Sequence, residues 1–292
     1  MKIAVFGATG VLGQNLVPLL LKHWYQVLAP VRSVPKAKSL LPPKTEKHEY
    51  DLLEGEIEYL SALLEGTDCV VHIATSIPTV FTKPDAWVTN NRLRTEGTQK
   101  LVEASIRAGV KRYIQQSIVM AYSDGGEDWI NEEHPLDESP ERELICKPVI
   151  EMENIVQNIP EDKMDWFILR GGIFVGKGTF QQKTIKDLKD GLNIVSGNGE
   201  NYVSFIRVED MANATLKSVE NETGNLILNI VAKPVKQIDY LKNIAEKIGA
   251  ITPVQNPKLP RPPSFRCSNL RAQYSINWKP KHNIYPFSKK IS

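Results

Sequence analysis

Apolar and polar positions along this chain switch repeatedly between two patterns. KIAVFG (2–7) is a short apolar run that predicts a strand, and QNLVPLLLKH (14–23) carries apolar residues at helical spacing. YQVLAPV (25–31) predicts a second strand, followed by a polar, proline-marked loop. IEYLSALLEG (57–66) predicts a helix and DCVVHIA (68–74) a strand that is apolar almost throughout. TEGTQKLVEASIRAG (95–109) predicts a helix ended by Gly109, and VKRYIQQSI (110–118) a strand. VIEMENIVQN (149–158) predicts a helix and DWFILRGGIFVG (165–176) another strand. Strands that alternate with helices and are apolar throughout imply a parallel sheet covered on both faces.

After Gly176 the pattern changes. FQQKTIKDLKDGL (180–192) and VEDMANATLKSVEN (208–221) predict helices, LILNIV (226–231) a strand, and QIDYLKNIAEKIG (237–249) a helix. Five prolines between Pro253 and Pro263 predict an extended segment. SNLRAQYSI (268–276) predicts a short helix, with Ser268 as its N-cap and Asn277 in the left-handed position after its end. No internal repeat is present.

Composition narrows the function classes. The chain has 292 residues and 41% hydrophobic content, enough for one large or two small domains. Its 36 basic and 34 acidic residues leave a net charge of +2, which provides no field for nucleic acid or an anionic membrane. Cys69, Cys146 and Cys267 are too scattered for a disulfide framework and suit a reducing compartment. No apolar run reaches the roughly 18 residues of a membrane span, so the expectation is a cytoplasmic protein. The histidines are dispersed without metal-ligand spacing. His72 is expected to be a satisfied core residue and His134 a surface one, so no metal site is expected.

The loop GATGVLG (7–13) joins the first strand to the first helix. Gly7 permits the tight turn, Gly10 lets backbone approach a pyrophosphate, and Gly13 lets helix and strand pack closely. Thr9 and Val11 lie between them in the same cradle. The helix start adds unpaired N–H groups and a positive dipole end. A strand, glycine turn and helix at this spacing predict a dinucleotide site.

Further segments widen this into a family resemblance. Besides the glycine loop these are Asp51-Leu52, HIAT (72–75), TEGTQKLVEASIRAGVKRYIQQS, DWFILRGGIFVG, FIRVEDMANAT (205–215) and SNLRAQYSINWKP (268–280). With them the chain resembles the extended short-chain dehydrogenases/reductases of the epimerase/dehydratase-like branch, nearly end to end. The resemblance implies a doubly wound α/β (Rossmann) domain and a nicotinamide cofactor. Residues 1–170 plus 201–232 are expected to form that domain, and 171–200 plus 233–292 a small discontinuous C-terminal substrate lobe. It also implies that Asp51, beside Leu52, meets the adenine edge, and that Ala74 and Thr75 flank the nicotinamide ribose. A residue after the second strand selects the cofactor. VLAPVRSVPKAK (27–38) has no Asp or Glu there, and Arg32 suits the 2′-phosphate of NADP, with NAD left open.

The chemistry that the resemblance implies is proton exchange by a Tyr, with a Lys one helical turn later. The corresponding helix lies near ELICKPVIEMENIV (143–156), and no tyrosine occurs from residue 123 to 201. One alignment puts Ile145 and Val149 at the two positions; the other puts Glu143 and Lys147 there. The YxxxK pattern at Tyr285 and Lys289 includes Pro286 and reads as coincidence. In QSIVMAYSD (116–124), Ile118 stands where the family has its catalytic Ser. Ser117 and Tyr122 are the remaining hydroxyls, with Tyr122 as proton donor and a packing tyrosine as the alternative. SIPTVF (76–81), SDGGEDWINEEHP (123–135) and GKGTF (176–180) are expected to complete the pocket.

These readings lead to an NADP-dependent oxidoreductase, reductase or epimerase/dehydratase-like, acting on an unidentified small molecule. The rival reading is a non-catalytic NADP(H)-binding sensor. The expected partner is a small-molecule substrate, with neither nucleic acid nor membrane, and a homodimer is left open.

Overall fold

In the computed structural model, residues 1–78, 85–192 and 194–286 are described. The first stretch of chain forms β1 (Lys2–Phe6), α1 (Gly13–Lys22), β2 (Gln26–Val31), α2 (Val34–Leu40), β3 (Glu46–Glu49), α3 (Ile57–Leu63) and β4 (Cys69–His72). Then come α4 (Val88–Arg92), a π-helical turn at Leu93–Gly97, α5 (Thr98–Arg107), β5 (Arg112–Ile118), α6 (Glu143–Gln157) and β6 (Asp165–Gly171). The chain continues through β7 (Ile173–Val175), α7 (Gln181–Lys189), β8 (Ile194–Ser196), β9 (Tyr202–Val203), β10 (Phe205–Arg207), α8 (Val208–Glu220) and β11 (Leu226–Ile230). Last are β12 (Val235–Lys236), α9 (Gln237–Ile248), β13 (Val254–Asn256) and α10 (Leu270–Ser275).

Seven strands form one sheet in the order β11-β6-β5-β4-β1-β2-β3. β1 pairs in parallel with β2 on one side and β4 on the other, with Ile3 opposite both Val27 and Cys69. The strand order therefore reverses between β1 and β4. A doubly wound sheet opens its ligand crevice at such a point, beyond the carboxyl ends of the strands. β1 and β4 are buried on both faces, which accounts for their unbroken apolar runs.

The described residues cluster into two units. The first comprises the described residues of 1–117, 138–169 and 212–227; the second comprises those of 118–137, 170–211 and 228–286. The expected first-domain segments 118–137, 201–211 and 228–232 thus fall in the second unit. The core of the first unit includes Phe6, Leu28, Leu60, Val70, Leu101, Tyr113 and Ile168. The second has one core around Val175, Phe205, Tyr240 and Ile244, and another around Val119, Tyr122, Ile130 and Phe265.

Several elements differ from expectation. The polar loop after β2 contains the short helix α2, whose N-cap is Ser33 and whose Pro35 sits in the first turn, where proline's missing N–H does no harm. β3 is polar, EKHE, because it is the edge of the sheet. DWFILRGGIFVG holds two strands, β6 and β7, with the latter paired to β10. A Cβ on Gly172 would lie 2.6 Å from the Ser204 carbonyl oxygen, so the turn between the two strands requires glycine. The proline-rich segment contains β13, parallel to β8. Asn269, not Ser268, occupies the N-cap of α10, while the Ser268 hydroxyl accepts the Leu270 N–H at 3.3 Å. Asn277 is left-handed as expected, with φ +48°. Among the described residues, no helix is long and apolar enough to cross a membrane.

Candidate functional site

The loop between β1 and α1 is shaped by what its glycines lack. Gly7 has φ +94°, and a Cβ there would lie 2.6 Å from the backbone nitrogen of Ala74, just past β4. This close approach joins the two loops that flank the strand reversal. A Cβ on Gly13 would lie 2.3 Å from the Ala8 carbonyl oxygen, so α1 packs directly on the loop. Gly10 differs: a Cβ there would meet only the Gly7 carbonyl oxygen, at 3.2 Å, and otherwise open space. The Gly10 N–H donates to Gly7 O at 2.9 Å. From the first turn of α1, the Gln14 and Asn15 amides donate to the carbonyls of Thr9 (2.9 Å) and Val11 (2.8 Å). The helix thereby ties down the loop's acceptors. What remains is a backbone cradle, open above Gly10, at the positive end of α1, and its residues fit a pyrophosphate.

Beyond β2 and β3, a surface pocket of about 350 Å³ includes Arg32, Glu49, Tyr50, Asp51, Glu56 and Tyr59 in its lining. Arg32 is its cation, is exposed, and has no ion-pair partner among the described residues. Asp51 faces the same pocket while its Oδ1 accepts the N–H groups of Leu53 (2.9 Å) and Glu54 (3.4 Å). Leu52 packs into the core. Ala74 is half-buried and Thr75 exposed.

α6 presents two different faces. Val149 is buried and Ile145 half-buried, whereas Glu143 and Lys147 form an ion pair at 2.7 Å with 58% and 70% of their side chains exposed. The register with Ile145 and Val149 therefore faces protein, and the Glu143/Lys147 register faces solvent. Glu153, on the buried face, accepts the Ser117 hydroxyl at 2.5 Å. Tyr285 stacks on Tyr240 with ring centroids 5.4 Å apart, and Lys289 lies outside the described residues. Of SIPTVF, the part from residue 79 onward also lies outside them.

Tyr122 belongs to the second unit and is fully buried. Its hydroxyl donates to Asn229 Oδ1 at 2.8 Å and accepts from Arg170 Nη1 at 2.8 Å, with the guanidinium carbon 4.8 Å from its ring centre. Burial pushes the phenol well above its ordinary range, against the pull of Arg170. The proton is thus held between protein groups. His134 is half-buried, with its ring edge-on to Tyr122 at 5.9 Å and its Nε2 3.1 Å from the Ser123 hydroxyl. His72 is buried, and its Nδ1 contacts Gln115 Oε1 at 3.0 Å and the Tyr113 hydroxyl at 3.1 Å. Burial lowers its pKa to about 4, so it is neutral near pH 7.

Two buried polar residues escaped the pattern reading. Asn90 accepts the Ser76 N–H at 3.1 Å through its Oδ1. Arg94 lies on the π-helical turn. Both occur in the polar run TNNRLRTEG, where a buried charge resembles a solvated one.

Comparisons with known proteins agree on the fold. The model of the NAD dependent epimerase/dehydratase family matches residues 3–230. A 3-diazoavenalumate denitrifying reductase from a Streptomyces species is 28% identical over 97% of both chains. A UDP-glucose 4-epimerase from Thermotoga maritima, solved with UDP-glucose, superposes with a TM-score of 0.79 over 97% of this chain and 94% of its own, at 19% identity. A UDP-glucuronic acid 4-epimerase from Bacillus cereus, solved with NAD, gives 0.78 over 97% and 95%, at 22% identity.

Proposed function

The chain belongs to the NAD dependent epimerase/dehydratase family, and on that premise we propose that it is a reductase that prefers NADP(H) and acts on a small electrophile. The observation that carries this reading is a contrast within the first unit. The backbone cradle for the dinucleotide is intact, while the protein-facing side of α6 offers Ile145 and Val149. Epimerisation or dehydration in the family's usual manner needs a side chain that moves a proton on and off a carbinol oxygen, and an apolar pair supports neither. Hydride delivery has no such need. A reduced nicotinamide, when bound, supplies that hydride.

Ser117, anchored on Glu153, is the group we assign to substrate orientation. Tyr122 we assign to structure, since its proton is committed to Asn229. The reductase relative acts, by its name, on a diazo compound, and this chemistry suits a site without a proton donor. An arenediazonium takes a hydride at its terminal nitrogen and becomes a neutral aryldiazene. Loss of dinitrogen then leaves that hydrogen on the ring carbon, and no external proton is consumed. A cytoplasmic location suits an NADPH-dependent enzyme with three buried free cysteines.

NADP preference rests on Arg32, a cation in the lining of the pocket after β2 with no ion-pair partner among the described residues. A charge-assisted bond to phosphate is worth roughly 1.5–3 kcal/mol, on the order of ten- to a hundredfold in affinity. Calorimetry is expected to give that ratio for NADPH over NADH, and Arg32→Ala is expected to remove it. Equal affinities in the wild type would overturn the preference. Turnover is tested by NADPH oxidation with arenediazonium and carbonyl panels. Tight NADPH binding with no oxidation across both panels would favour the sensor reading instead.

A further inference from the structure

Asn90 and Arg94 stand four residues apart on the run α4–π-turn, so they share one side of it. Both are buried: Asn90 completely, and Arg94 with 7% of its surface exposed. Asn90 uses its Oδ1 on the Ser76 N–H, yet its Nδ2 has no hydrogen-bond partner among the described residues. Arg94 Nη1 also has none, and no ion pair to Arg94 lies within 4 Å among the described residues. Burial lowers the Arg94 pKa to about 10, with Cys146 and Glu153 acting against that shift. The guanidinium therefore stays charged near neutral pH. Glu153, the nearby carboxylate, already accepts the Ser117 hydroxyl at 2.5 Å.

A buried donor without an acceptor is destabilising, and a buried cation without a partner more so. Here two such donors occur together, next to Ser76 in the half-exposed segment after β4 and on a π-turn, a rare distortion that often marks a functional site. A water molecule could accept from both donors but would leave the charge uncompensated. A carboxylate satisfies both donors, one oxygen each, and neutralises the guanidinium.

We infer that Asn90 and Arg94 form a receptor for an anionic oxygen group of the substrate, and that the substrate carries a carboxylate. The inference rests on the reductase reading for its placement beside the cofactor cradle. It explains why an arginine is buried with no carboxylate in ion-pair contact among the described residues. It also gives a site with an apolar α6 face a polar handle for fixing substrate orientation.

The test compares benzoate with benzamide, which differ in charge and little in shape. Binding is measured by ligand-observed NMR and calorimetry on the wild type, alone and saturated with NADP⁺, and on Arg94→Met, Arg94→Lys and Asn90→Ala. Wild type is expected to bind benzoate at least about tenfold more tightly than benzamide. Arg94→Met is expected to abolish the difference, Arg94→Lys to retain part of it, and Asn90→Ala to reduce it. NADPH affinity is expected to stay unchanged in all three. No preference for benzoate in the wild type overturns the inference, as does a preference that survives Arg94→Met. Weakened NADPH binding in Arg94→Met with the benzoate preference intact also overturns it, by making Arg94 a cofactor contact. If Arg94→Met fails to fold, the wild-type and Arg94→Lys ratios decide. Failure of the wild type to bind NADPH would remove the reductase reading alone, because the benzoate comparison without cofactor still decides the receptor.

Discussion

The loop after β1 and the protein-facing side of α6 are made of different materials. The loop is a backbone object, defined by absent side chains: a Cβ at Gly7 or Gly13 would lie within 2.6 Å of other backbone atoms, and one at Gly10 would enter open space. The α6 face is a side-chain object, defined by Ile145, Val149 and the buried Glu153. A backbone site is erased by adding atoms, and a side-chain site is rewritten by exchanging them. The first therefore constrains sequence tightly, while the second can change its chemistry with the fold intact. In this family member the dinucleotide cradle and the reactive face can thus diverge independently.

The contrast breaks most severely at Gly10. Gly10→Val should place two methyl groups where the pyrophosphate belongs and leave the fold in place, since no protein atom but Gly7 O stands near. Loss of two charge-assisted bonds at roughly 1.5–3 kcal/mol each corresponds to a drop in NADPH affinity on the order of a thousandfold. Nicotinamide fluorescence reads the affinity and circular dichroism the fold. Undiminished binding would reduce the loop to a structural turn.

Gly7→Ala sharpens the same point through stability. The added Cβ meets Ala74 backbone at a φ of +94°, so the loss should be about 3 kcal/mol in urea unfolding. A neutral result would mean that the two loops separate easily.

Tyr122→Phe probes the side-chain half of the argument in the second unit. It leaves Asn229 Oδ1 and Arg170 Nη1 short of a buried hydroxyl, for an expected loss of about 1–3 kcal/mol in stability. Turnover should fall by less than about tenfold. A loss of 10²–10⁴-fold with unchanged stability would instead make Tyr122 the proton donor. The smallest effect belongs to Lys147→Ala, on the solvent side of α6, where removal of an exposed ion pair should change stability by no more than about 0.5 kcal/mol and leave NADPH oxidation unchanged. A large loss of activity there would restore the Glu143/Lys147 register.

Local properties of the chain were the legible ones. The tight turn at Gly7, the helix end at Gly109 and the left-handed Asn277 were legible because tolerance of positive φ belongs to the residue itself, and all three have positive φ. The buried strands β1 and β4 announce themselves by apolar runs. β3 does not, because an edge strand carries EKHE as readily as any loop does. α2 is seven residues long, too short to show a helical period. The same limit governs the site. The glycine cradle could be read from spacing, whereas Asn90, Arg94 and the Ser117–Glu153 bond depend on which segments tertiary folding brings together. Nothing in a polar run such as TNNRLRTEG distinguishes a buried guanidinium from a hydrated one.

The π-turn at Leu93–Gly97 also bears on how this chain tolerates insertions and deletions. A π-turn accommodates one residue more than the α-helix around it would hold. Deleting a single residue from 95–97 should let the helix close into regular α geometry with its ends still joined. Because the turn absorbs that residue locally, α4 and α5 would keep their orientations and Asn90 its place beside Ser76, while Arg94, on the turn itself, would shift. A length change of one residue, ordinarily damaging inside a helix, would here leave a well-formed helix and an altered receptor. Relatives that differ by one residue in this stretch should therefore differ in substrate while sharing the cofactor.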